Sequence, residues 1–125
     1  MVRLAGSNPR DLALVHMHAM WYYQAMNPRL FLDVDPRNLR LPTSRLSGAD
    51  PVKLQRQISR HGVTAQGMPP VEVYRGTDGE LMIFNGVTRA TRMAKLIPGQ
   101  RIRVEVIDDL STPVGHFPTV GDKLP

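Results

Sequence analysis

The sequence predicts a small α+β fold: a small mixed sheet with packed helices, plus an added N-terminal helix. Three observations carry this expectation. Two strand-like segments, Val71–Tyr74 and Leu81–Phe84, flank Thr77-Asp78-Gly79-Glu80, whose Asp-Gly pair is a strong hairpin signal. Helical patterns alternate with them, opened by Asn8-Pro9 and Asp50-Pro51 and stopped by Gly62 and Pro98-Gly99. A further strand puts Ile102, Val104 and Val106 on one face and Arg101, Arg103 and Glu105 on the other.

Residues 1–8 read as a loose leader. Asn8 then caps a helix that Pro9 opens, with Asp11 in the positive first turn and Asn27-Pro28 as the stop after Met26. This helix 9–26 is apolar on two sides. Leu12, Val15, Ala19, Tyr22 and Met26 fall on one, and Leu14, Met17, Trp21 and Ala25 on the other. Such a helix is buried on both sides, or buries one and offers the other to a partner. It lacks the Lys/Arg face of a membrane-surface helix. Packing in the core or in a dimer is the expectation, and it covers Trp21, Tyr22 and Tyr23, whose other use is base stacking. His16 and His18 diverge by about 200° around a helix and cannot share a metal there.

Residues 27–50 read as mostly irregular, broken by Pro28, Pro36 and Pro42, with a short strand around Asn38–Leu41. Asp50 caps and Pro51 opens a helix over Pro51–His61. Leu54 and Ile58 lie on its inner face, and Lys53, Arg56, Gln57 and Arg60 on its wet side. His61 suits a cap or dipole partner at its end. The hairpin follows Pro69-Pro70. Asn85-Gly86 ends the return strand, and a third helix runs from Val87 to Ile97 with Ala90, Met93, Ala94 and Ile97 as its apolar side. From Asp109 on, Pro113, Pro118 and Pro125 predict an extended or disordered tail that includes His116. The expected division is 1–37 (helix and linker), 38–108 (folded domain) and 109–125 (tail).

The 125 residues, 42% hydrophobic and 22% charged, suit one domain with a real core. There is no cysteine, which removes disulfides, cysteine-ligated metal and any thiol nucleophile, so no redox cofactor is expected. No apolar run reaches the roughly 18 residues of a membrane span, and no signal-peptide pattern opens the chain, so a cytoplasmic protein with no membrane association is expected. Thirteen of the 16 bases are arginine and the net charge is +5. Residues 1–107 carry fifteen bases against eight acids, a net +7, so the positive field belongs to the expected folded part. Arginine forks match phosphate and carboxylate.

The stretch Phe84-Asn85-Gly86-Val87-Thr88-Arg89-Ala90-Thr91-Arg92 carries the chemistry. It marks a strand-to-helix junction. Gly86 allows a positive φ or a close backbone approach, and the helix start offers unpaired N–H groups to an anion. Thr88 adds a hydroxyl. Arg89 and Arg92, three apart, are expected to clamp the same anion.

Together with the helix ending at Gly62, the Pro70-led strand, the Asp-Gly hairpin and the closing strand Ile102–Val106, this Gly-x-x-Arg junction resembles the N-terminal domain of ParB-type partition proteins and the related sulfiredoxins. The resemblance covers roughly Asn38–Asp108. It implies that the junction holds nucleotide phosphates, CTP as in ParB proteins or ATP as in sulfiredoxins, with Mg²⁺. Gly86 and Arg89 match the motif directly. Thr88 falls where sulfiredoxins have His and ParB proteins a second Arg. Val87 falls at the sulfiredoxin catalytic cysteine, which excludes peroxiredoxin repair. Arg92 stands where the family has a small residue. In the preceding helix, phosphate contacts are implied near Asp50, Lys53 and Gln57, of which Lys53 and Gln57 are donors.

The expected function is therefore a ParB-like nucleotide- or phosphate-binding domain. Its phosphate site comprises Gly86, Val87, Thr88, Arg89, Arg92, Lys53 and Gln57, and non-specific DNA is a further partner of the positive face. Two other classes stay open. One is a metal-dependent nuclease or nucleotide hydrolase, although Glu72, Asp78 and Glu80 show no ligand spacing. The other is a catalytically inert scaffold that forms homo-oligomers through helix 9–26.

Overall fold

A computed structural model describes residues 28–125. The expected helix 9–26, with His16, His18 and Trp21, lies outside them. The described residues form a small α+β structure of four strands and two helices. The strands are β1 (Leu30–Val34), β2 (Val71–Arg75), β3 (Leu81–Asn85) and β4 (Ile102–Asp109). The helices are α1 (Pro51–His61) and α2 (Val87–Leu96). The sheet order is β1-β4-β2-β3, with β2 parallel to β4 and the other two pairings antiparallel.

Local signals build most of this. Asp50 Oδ1 accepts from the amides of Val52 (2.9 Å) and Lys53 (3.0 Å), and Pro51 opens α1. These are the donors that a helix start leaves without partners. Gly62 ends α1 at φ +55°, and its N–H donates to the Ile58 carbonyl. Gly79 turns the β2–β3 hairpin at φ +79°. Strand alternation sends Val71, Val73, Ile83, Ile102 and Val104 inward, where they meet Ala90, Met93 and Ala94 of α2.

Two points of the sequence reading need correction. Within the otherwise irregular stretch 28–50 one strand was not expected: β1 pairs with β4 from Leu30↔Val106 to Val34↔Ile102. Its Leu30, Leu32 and Val34 alternate with Phe31 and Asp33, but five residues between prolines carry too weak a local signal without the partner strand. No strand forms over Asn38–Leu41; Pro36–Asn38 is a 3-10 turn, and Arg40 alone bridges to Met82 and Thr119.

The stretch 109–125, expected to be extended or disordered, packs against the rest of the fold. Val114 and Val120 are each 1% exposed. Leu41 N–H donates to the Pro118 carbonyl (2.8 Å) and Val120 N–H to that of Leu39 (2.9 Å). Asp78 holds the amides of Val114 and Gly115. The prolines end regular structure without preventing packing, because side chains elsewhere take up the segment's backbone donors.

Residues 30–37 and 109–125 belong to the same sheet and core as the middle of the chain. Among the described residues no helix is long and apolar enough to cross a membrane.

Candidate functional site

Gly86 closes β3 and caps α2 in the left-handed region, at φ +116°. A β-carbon there would stand 2.8 Å from Nη2 of Arg89 and 3.2 Å from Cγ2 of Val71; the arginine tip could swing aside, so the left-handed backbone is what reserves the position for glycine. The backbone ladder of α2 begins with Ala90 N–H donating to the Gly86 carbonyl (2.9 Å). No side chain caps this start and no acid lies in its first turn. The amides of Val87, Thr88 and Arg89 therefore precede the ladder, at the positive end of the helix dipole.

A groove of about 280 Å³ opens over this helix start. Gly86, Val87, Thr88 and Arg89 form one wall, and Lys53 and Gln57 of α1 form another. Six of the seven expected phosphate-site residues thus line one groove. They are drawn from segments some thirty residues apart because α1 packs against α2. Their four-residue spacing puts Lys53 and Gln57 on one flank of α1, where Lys53 is exposed and Gln57 half-buried.

Arg89 lies against Gly86. Its Nη2 donates to the Pro70 carbonyl (3.2 Å), and its Nε is buried without a partner. Burial pushes its pKa down, and the negative charge of Glu72 works the other way. Arginine stays charged regardless, so this guanidinium is a partly dehydrated cation that an anion would stabilise.

Arg92 does not join Arg89 in a clamp. It is 1% exposed. Its Nη1 donates to the carbonyls of Gly62 and Thr64, both at 2.8 Å, and its Nη2 lies 3.4 Å from Sδ of Met68. The guanidinium ties the end of α1 and the loop after it to α2. A cation suits the negative end of α1, and burial pushes the Arg92 pKa down. A second cavity of about 240 Å³ lies along this side, lined by His61, Met68 and Arg92 and sharing Gln57 and Arg89 with the first. His61 reaches the site region as a lining residue of that cavity.

Arg45, with Pro42 and Ser44, lines the groove without a sequence signal, and Phe84, which opens the stretch singled out in the sequence, had no assigned role there. Arg45 sits on the 3-10 turn Thr43–Arg45, in a stretch without periodicity, and lines the groove from the far side. Phe84, two residues before Gly86, stands at the groove with 55% exposure. Its exposure was signalled only by its place opposite Ile83 in the strand alternation.

The carboxylates have other employment. Asp50 is held below the ordinary carboxylate range by the Lys53 amide, against a smaller upward push from burial. Glu72 accepts from Nδ2 of Asn85 (3.1 Å), and Glu80 pairs with Arg40 (3.3 Å). Among the described residues no group of three His, Asp or Glu side chains is placed to hold a metal ion. No family model matches this chain, and no curated protein matches it.

Proposed function

We propose that the protein binds a phosphate-bearing ligand, a nucleotide above all, at the start of α2. One observation carries the reading: Lys53 and Arg45 face, across a single groove, a helix start whose first amides precede the ladder and whose first turn holds Thr88 and Arg89. Two cations and a dipole end around about 280 Å³ favour an anion of phosphate size and charge. The resemblance of residues 38–108 to ParB/sulfiredoxin domains supports the same reading. It makes CTP or ATP with Mg²⁺ the first ligands to try.

The division of labour follows from the contacts. The α2 amides and Thr88 donate hydrogen bonds to phosphate oxygens, and Lys53 and Arg45 supply mobile charge. Arg89, braced by the Pro70 carbonyl, supplies fixed charge. Arg92 has no part in the anion site, since its donors serve the α1 loop. Calorimetric titration with CTP, ATP and GTP tests the reading. Wild type should bind at least one of them, and Lys53→Ala should weaken it by about tenfold, as loss of one charge-assisted contact does. No binding of any of the three, or equal binding by wild type and Lys53→Ala, defeats the reading.

A further inference from the structure

We infer that the ligand is a single strand of nucleic acid, held by its phosphates at the start of α2 and by an unpaired base stacked on Phe84. This rests on the anion reading above and adds an observation that reading does not use. Phe84 is 55% exposed at the lip of the anion groove, while Ile83 beside it in β3 is fully buried. The ring is supported from one side by Tyr74, with centroids 5.2 Å apart and planes tilted by 56°. The support follows from register: Tyr74 pairs with Met82, and Phe84 lies two residues further on the same face. Supported on one side by Tyr74, Phe84 still exposes more than half of its surface beside a cationic groove, which is what a stacked base requires.

The cations extend beyond one phosphate. Arg60 lies about 20° from Lys53 around α1 and about 10 Å further along its axis, whereas Arg56 lines a separate hollow with Val52, Gln55 and Ser59. Arg45 lines the same groove as Lys53. Among the described residues none of Lys53, Arg45 and Arg60 takes part in an ion pair. Two carboxylates stand nearby, and both are engaged within the fold: Asp50 by the amides of α1, and Glu72 by Asn85. A lone nucleotide would make no use of Arg60. A duplex would offer Phe84 no free base face. An aromatic platform beside a cationic track is the arrangement that grips unpaired strands with little sequence preference.

Fluorescence anisotropy with a labelled oligo(dT) of about twelve nucleotides tests the inference, against an abasic oligomer and a duplex of equal length. Phe84 is a surface residue, so Phe84→Ala keeps the fold, and Phe84→Trp keeps the platform. Oligo(dT) should bind about tenfold more tightly than the abasic oligomer. Phe84→Ala should remove that advantage without changing abasic binding, and Phe84→Trp should retain it. Equal oligo(dT) affinity for wild type and Phe84→Ala overturns the inference, as does a preference for duplex or CTP bound as tightly as oligo(dT). If the anion reading itself is at fault, the abasic oligomer fails to bind, or binds Lys53→Ala as it binds wild type. If only the stacking is at fault, abasic binding persists and Phe84→Ala has no effect.

Discussion

The guanidinium of Arg89 lies over the α-carbon of Gly86, so close that a β-carbon would stand 2.8 Å from its Nη2. One glycine therefore does two things: it turns the chain from β3 into α2, and it leaves room for the cation that α2 carries one turn later. Gly86→Ala pays for both. The left-handed backbone should cost about 2 kcal/mol in urea unfolding, and the displaced Arg89 should weaken phosphate binding. Gly99 is the control. It also has positive φ, at +89°, but nothing lies within 4 Å of a β-carbon there. Gly99→Ala should destabilise by a similar amount and bind phosphate as wild type does. Equal binding by both variants would separate Arg89 from the anion site.

Arg92 and Lys53 should behave in opposite ways. Removing the Arg92 guanidinium leaves the Gly62 and Thr64 carbonyls without their donor at the junction of α1 and α2. Arg92→Met should lower unfolding free energy by about 3 kcal/mol, the scale of charged hydrogen bonds in a buried site. Lys53 is exposed, so Lys53→Ala should leave the melting temperature unchanged and reduce anion affinity. Thermal melts and titrations of the two variants read this double contrast. A stable Arg92→Met protein would mean that the clamp contributes little.

The C-terminal segment should be part of the cooperative unit. Val120 is 1% exposed among Leu39, Leu41 and the sheet residues, and its amide bonds to the Leu39 carbonyl. Val120→Ala should cost about 2 kcal/mol as an unfilled core cavity. The amides of Leu41 and Val120 should exchange with deuterium as slowly as those of the central strands β2 and β4. Fast exchange of both would show that the segment opens separately.

Acid should destabilise the protein through a defined set of carboxylates. Asp109 is held below its ordinary range by the Arg75 hydrogen bond, and Glu105 by that of Arg29. At Asp78 burial pushes upward, but the amides of Gly115, Val114 and Glu80 outweigh it and the net shift is down. For each, the folded pKa lies below the unfolded value of about 4. Their contribution is present in full above that value and is lost as pH falls through the folded pKa. The urea midpoint should be flat from about pH 7 to 5 and fall below about pH 4. Asp78→Asn should be less stable at neutral pH and show a shallower acid decline; an unchanged slope would assign the decline to other groups.

How much was legible in the sequence depended on how local each signal was. The cap at Asp50, the proline that opens α1, the Asp-Gly hairpin and the Gly86 junction are each written in fewer than six consecutive residues. Each acts on backbone groups next to itself, so the elements appear where the residues place them. The groove was legible to the extent that Lys53 and Gln57 share a helix flank and Gly86 to Arg89 share a helix start.

Tertiary structure decided the rest. β1 exists because β4 offers it a row of partners, and the stretch 110–125 is ordered because Asp78, Leu39 and Leu41 receive it. The arginine three residues after Arg89 looked like its partner, yet the packing of α1 turned Arg92 into a buried tie to Gly62 and Thr64. Arg45 and Phe84 became groove residues by the same packing. The sequence by itself determined the elements whose hydrogen bonds close within a turn or two of the chain. The side of the molecule each cation serves was decided only by the fold, because burial and long-range hydrogen bonding depend on residues that no local pattern brings together.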